Sequence, residues 1–456
     1  MSLLIKGGEL VNPDGVMIAD VLIEEEKIVA IGRDLKVPTA QVIDAKGKQV
    51  LPGGVDVHVH LPWQAGANIS MDDFAVGTKA AAFGGVTTII DFVIPEADES
   101  LTEALGKKLT TARNSAWVDY SFHLNIRGDV AGKIEEIPEL VKKGFPSFKI
   151  YMAYEGLRQP SANLLKAMKA IAEAGGILGV HAEDGPLADF LTQELLSVGK
   201  TDLQYVPQSR PANCEIEAIH QAISYAKALG VRLHVHHVST AQGAEMIGTA
   251  HRDGFPISGE TCPHYLLFSE DEYTGDPQRA SHLVCAPIIK SEADRAGLWQ
   301  ALAGGSLAMV ATDHCPFTRK QKEANLNDFT SVPGGLAGVE TRLPLVYTEG
   351  VVKGRLSLNR FVQVWATEPA KVFGLYPQKG IIAVGSDADL VILDPEQKSV
   401  LRASDLHMNS DCLPFEGSEV LGMPMTTILR GEVIIEQGQL KPANPPGELV
   451  SRFINA

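Results

Sequence analysis

From residue 53 onward, short apolar runs of β type alternate with longer stretches of helical period. The β-type runs are GVDVHVH (54–60), TTIIDFV (87–93), VDYSFHLNI (118–126), SFKIYMA (147–153), ILGVHAE (177–183), RLHVHHVS (232–239), PISGETCP (256–263) and LAMVATDH (307–314). Between them, Leu164, Leu165, Met168 and Ile171 recur at helical spacing within 161–175, and 215–230 ends on a glycine suited to a helix C-terminus. Strands that alternate with helices must run parallel and be joined by crossovers. Eight parallel strands close a (β/α)8 barrel, and this reading is preferred to an open doubly wound sheet.

The two ends of the chain read differently from the middle. LLIKGGELVNPDG and VMIADVLIEEEKIVAIG are short apolar runs broken by Asn-Pro and Asp-Gly turn signals. After a last helical stretch at 357–375 the β character returns in GIIAVGSDADLVILDP and MTTILRGEVIIEQGQL. Residues 1–52 and 376–440 are therefore expected to form one small β-sandwich, with the barrel at 53–375 inserted between them. Residues 441–456 would be a C-terminal tail, either loose or an arm against a neighbouring subunit. A chain of 456 residues has room for this arrangement.

Net charge narrows the partners. At −16 the chain suits neither nucleic acid nor an anionic membrane surface. No secretory leader or apolar run of membrane-spanning length is visible, so a cytoplasmic location is the expectation. The five cysteines form no CxxC pair and imply no disulfide framework.

Strands buried on both faces should be apolar, so polar residues on them need a reason. His58 and His60 end the first run, Lys149 sits on the fourth and His181 on the fifth. The sixth carries His234, His236 and His237, and the eighth ends Asp313-His314. Period-two alternation puts His58 and His60 on one strand face, and His234 and His236 on another, with His237 opposite. All of these fall toward the C-terminal ends of their strands, where barrel active sites form. One such histidine would be an ordinary hydrogen-bonded core residue. Imidazoles and a carboxylate from separate strands instead suit a divalent metal, zinc above all. Spacing alone does not choose among the three sixth-strand histidines. Lys149 stays open too: a Schiff-base nucleophile, a carbamate able to bridge two metals, or an outward ion pair all fit.

At these residues the chain resembles the cyclic amidohydrolases, most closely their dihydropyrimidinase/hydantoinase branch. The resemblance runs along nearly the whole chain. It is carried by PGGVDVHVH, MDDFAVGTKAAAFGGVTTIIDF, SFKIYMAY, HAED, HHVST and TDHCPF, with ETCPHYLLFSEDEY and GSDADLVILDP outside the metal shell. It implies two divalent ions per subunit. His58 and His60 would hold the more buried ion, His181 and His237 the second, and Lys149, as N6-carboxylysine formed from carbon dioxide, would bridge both. Asp313 would bind the first ion and serve as general base and acid. Tyr154 would hydrogen-bond the substrate carbonyl. A hydroxide held between the metals would open a hydantoin or dihydropyrimidine ring to an N-carbamoyl amino acid. The resemblance also implies a homotetramer or homodimer.

Two stretches depart from that pattern. CAPIIK (285–290) and PGGLAG (333–338) are similar to allantoinases, while Tyr154 and HMNSDCLPFEG (407–417) match the hydantoinase branch. Ala286 and Gly334 would still reach the substrate through their backbones. Allantoinase is therefore the alternative enzyme. Dihydroorotase ranks lower, because HVHLP lacks the arginine of that branch. A scaffold homologue is disfavoured because every expected ligand is kept.

Overall fold

The computed structural model describes residues 2–65 and 67–454. Eight strands form one parallel sheet: Gly54–Val59, Val86–Val93, Asp119–Asn125, Ser147–Tyr151, Ile177–His181, Arg232–Val235, Ile257–Thr261 and Met309–Val310. They pair in chain order. A parallel bridge between Val59 and His314, with the His60 amide donating to the His314 carbonyl at 2.9 Å, joins the last strand to the first and closes the (β/α)8 barrel. The first five barrel strands are buried at every position, so their continuous apolar runs are a consequence of two-sided packing.

The crossover helices reflect local chemistry. Ser100 and Glu103 form a reciprocal capping box at the start of Leu101–Ala112. Gly230, in the left-handed region at φ 67°, ends Ala212–Leu229. The stretch at 357–375 is not one regular helix. It breaks into Leu358–Val362, a wider π turn at Gln363–Thr367, and Glu368–Val372.

The chain ends meet in a mixed nine-stranded sheet. Gln49–Pro52 from the N-terminal part pairs antiparallel with Leu390–Leu393 from the C-terminal part, in the register Pro52 to Leu390. Where this sheet abuts the barrel, Lys379 is buried among Asp119, Asp387 and Asp389. The three carboxylates converge as a metal site's would, but the Lys379 ammonium already occupies the space between them, with Lys27 on Asp387 and Arg430 on Asp119. Among the described residues, no helix is long and apolar enough to cross a membrane.

The C-terminal segment lies along its own barrel. The Tyr120 amide donates to the Glu448 carbonyl at 2.9 Å, and the Val450 amide to the Tyr120 carbonyl at 2.8 Å. Arg452 is fully buried, donating to Ser121 Oγ, Ser147 Oγ and the Phe122 carbonyl. Truncation before Gly447 should therefore cost several kcal/mol, at about 1 kcal/mol per lost hydrogen bond. Thermal denaturation checks this, and an unchanged midpoint would show that the segment contributes nothing to the fold.

Candidate metal centre

The polar strand ends converge at one mouth of the barrel. His58 Nε2 lies 3.0 Å from Asp313 Oδ1, and His60 Nε2 lies 3.2 Å from the same oxygen. Lys149 Nζ is 3.3 Å from His58 Nε2. Across the mouth, His181 Nδ1 and His237 Nε2 are 2.8 Å apart. A cavity of about 620 Å³ opens above them, with His60, Lys149, Tyr154, His181, His237, Ala286, Asp313 and Gly334 on its wall.

The sixth-strand histidines separate by depth. The strand ends at Val235, and His237 takes a left-handed backbone at φ 38°. Period-two alternation thus stops before it, and His237 turns into the cavity for a reason that strand geometry does not supply. His236 lies below. Its Nδ1 is 3.1 Å from Glu260 Oε1, and its ring fills the space beside Gly179, where a Cβ would come within 2.2 Å of Nε2. His234 is held by Ser258 and Glu260. His314 is likewise occupied, with Nε2 2.9 Å from Asp72 Oδ2 and Nδ1 accepting the Gly338 amide.

Carboxylates behind the histidines orient them. Glu260 contacts His58 Nδ1 and the His237 backbone amide. Glu183 Oε2 sits 2.8 Å from His181 Nε2. In the His58 and His181 rings the nitrogen away from the cavity is engaged, so the other faces inward, as ligating histidines require. Glu183 and Glu260 are not among the residues singled out from the sequence, although both are carboxylates on or just after apolar strands and the rule that found Lys149 covers them. Arg210, which pairs with Glu183, gave no such signal because it lies between two helices.

The electrostatics favour neutral imidazoles on most of the site. Burial pushes His60 down to about 3, and burial with the neighbouring His181 drives His237 well below the ordinary histidine range. Burial alone would raise Asp313. The His58 charge and hydrogen bonds from His58 and His60 instead hold it well below the usual carboxylate range. His58 rises in turn: burial is the largest influence and opposes its charge, but Asp313 and Glu260 together outweigh it. A divalent cation at this point would take the place of the His58 proton and release it. Lys149 is lowered to about 8 by burial, only partly offset by Asp313 and Glu260. Among the described residues it has no carboxylate at ion-pair distance, and its amine lies 4.2 Å from the Phe92 ring centroid. Burial raises the Tyr154 hydroxyl above its ordinary value, with Arg210 partly opposing, so it remains a donor at neutral pH.

This donor set fits a divalent metal. His58, His60 and Asp313 each offer one atom, and these atoms lie within 4.8 Å of one another. Among the described residues, His237 Nδ1 is buried without a partner, and His181 Nδ1 and His237 Nε2 face each other at 2.8 Å.

The family model described as "Amidohydrolase family" matches residues 49–434. The chain belongs to the amidohydrolase family. A divalent metal centre is a property of that family, and this amidohydrolase carries candidate ligands for one. D-hydantoinase of Geobacillus stearothermophilus is 40% identical over 455 residues, covering 99% of this chain and 97% of that protein. D-hydantoinase of Ralstonia pickettii is 38% identical over 454 residues, covering 99% of each. The crystal structure of dihydropyrimidinase from Brevibacillus agri NCHU1002 superposes with a TM-score of 0.97 at 39% identity, covering 100% of both chains.

Proposed function

We propose that this amidohydrolase opens the cyclic amide bond of hydantoins and dihydropyrimidines, releasing N-carbamoyl amino acids. One observation carries the reading. His60, Lys149, His181, His237 and Asp313 come from five different strand ends and line one cavity, and His58 lies against Asp313 and Lys149. Full-length likeness to proteins named hydantoinase and dihydropyrimidinase supplies the substrate class. The allantoinase alternative, drawn from CAPIIK and PGGLAG, is not favoured by these relatives.

His58, His60 and Asp313 would hold one divalent ion, and His181 and His237 a second. Nitrogen and oxygen donors of this kind favour zinc. Lys149, with its lowered basicity, would add carbon dioxide through its neutral amine, lose a proton, and present carbamate oxygens to both ions. Bound divalent ions polarise a carbonyl and lower the pKa of water toward about 7. The protein supplies the remaining steps. Asp313 accepts the proton of the attacking water and passes it to the leaving ring nitrogen. The Tyr154 hydroxyl donates to the carbonyl oxygen as negative charge develops there. The backbones at Ala286 and Gly334, also on the cavity wall, would position the ring.

The test is a substrate panel of hydantoin, dihydrouracil, allantoin and dihydroorotate with zinc-loaded enzyme. Hydantoin and dihydrouracil should be opened, with ring loss followed by ultraviolet absorbance. Turnover of allantoin alone would reject the proposed substrate class.

A further inference from the structure

We infer that Arg210 is a positioning residue that holds both halves of the substrate-side wall, the His181 imidazole and the Tyr154 ring, in one arrangement. The inference rests on the proposed hydrolase reading. It concerns a side chain that the sequence patterns did not single out.

Arg210 lies between the short helix Val206–Ser209 and the helix Ala212–Leu229. Its carbonyl accepts from Lys290 Nζ at 2.7 Å, which anchors the turn. Its side chain reaches inward to two targets. Nη1 is 2.8 Å from Glu183 Oε2, the same oxygen that lies 2.8 Å from His181 Nε2. The guanidinium carbon also sits 4.9 Å from the centroid of the Tyr154 ring. That ring is in turn 5.0 Å from the His181 ring. The cavity wall includes Tyr154 and His181 but, among the described residues, not Arg210. Arg210 therefore acts through them.

The need for such a clamp is physical. Tyr154 has a left-handed backbone at φ 69°, a conformation costly for a residue with a side chain and kept only where surroundings enforce it. Glu183 is a buried carboxylate whose Oε1 has no partner among the described residues, so a single engaged oxygen holds the Nε2 side of the His181 ring. A planar guanidinium can pair with that oxygen and stack on a ring at once, which a lysine ammonium cannot do equally well.

The test compares Arg210→Met and Arg210→Lys with wild type, using zinc retention against a chelator, kcat and KM on hydantoin, and circular dichroism. Arg210→Met should lose 10- to 100-fold in zinc affinity or in kcat, roughly the range for removing a partner behind a metal ligand. Arg210→Lys should keep zinc, because a cation still meets Glu183, yet lose kcat because the Tyr154 ring is no longer stacked. A folded Arg210→Met with wild-type zinc retention and kcat would overturn the inference, whatever its thermal midpoint. If Arg210→Met does not fold, wild-type kcat in Arg210→Lys overturns it instead. Should wild type open no cyclic ureide, the substrate reading fails by itself, while the zinc-retention comparison still decides the role of Arg210.

Discussion

Replacing Lys149 by methionine is expected to abolish turnover and, in chelator-stripped protein, to raise thermal stability. The two effects have one origin. Lys149 is buried among aromatic rings with no carboxylate at ion-pair distance among the described residues. Burial holds its pKa at about 8 against an ordinary 10.5. Below pH 8 the protonated amine is therefore costlier in the fold than in the unfolded chain, by about 3 kcal/mol at 1.36 kcal/mol per unit. That cost fades as pH rises from 8 to 10.5, where the unfolded chain binds the extra proton. Methionine fills similar volume without charge, so the stripped variant should melt a few degrees higher at about pH 7. Its advantage should shrink toward pH 10.5. The difference between the two proteins is the quantity to read, because Lys322, also lowered to about 8 by burial, titrates in the same window. Activity should fall at least ~10³-fold, since methionine offers no nitrogen to carry a carbamate. Retained zinc and turnover, or a stripped variant less stable than wild type, would reject this account of Lys149.

A second substitution should do the reverse. Lys379→Met is expected to destabilise the protein by about 3–5 kcal/mol, the range for removing one partner of a buried ionic cluster. Lys379 Nζ lies 2.7 Å from Asp119, 3.1 Å from Asp387 and 2.7 Å from Asp389, all buried. Burial would lower its pKa, yet the three carboxylates hold it above the ordinary value. Without the lysine those charges face one another, with Arg430 left to offset Asp119, Lys27 left to offset Asp387, and Asp389 without a cation among the described residues. Asp119 opens the third barrel strand, while Asp387 and Asp389 lead into a strand of the mixed sheet, so the cluster joins barrel and sheet. Burial alone would raise Asp387, but Lys379 lowers it, and its stabilising share is present above pH 3.8 and lost as pH falls through its folded value. The gap between wild type and variant should hence be widest near about pH 7 and narrow below about pH 4. The cluster sits at the opposite end of the barrel from the candidate metal centre, so kcat at room temperature should be unchanged. Chemical denaturation measures the gap, and a loss under about 1 kcal/mol would mean that the cluster is not what joins the two parts.

These two lysines mark the boundary of what the chain reveals before it folds. Alternation of apolar runs and helical stretches, and their number, dictated the barrel, because strands covered on both faces must be apolar and parallel strands need crossovers. The same rule made Lys149 and the strand-end histidines conspicuous as polar residues where apolar ones belong. Lys379 lies outside any strand, and nothing in its neighbourhood distinguishes it from a solvated surface lysine. Its partner Asp119 is 260 residues away. His236 and His237 show the finer limit. A period of two assigns faces only while a strand continues, and this strand stops at Val235. Beyond Val235 the direction of each ring depends on the φ of His237, on Glu260 receiving its amide, and on Gly179 leaving room for the His236 ring. Local sequence sets which elements form and which residues are chemically out of place. Which of those residues meet, at what distance and with which charge behind them, is decided by long-range packing, since those contacts join groups that no local pattern relates.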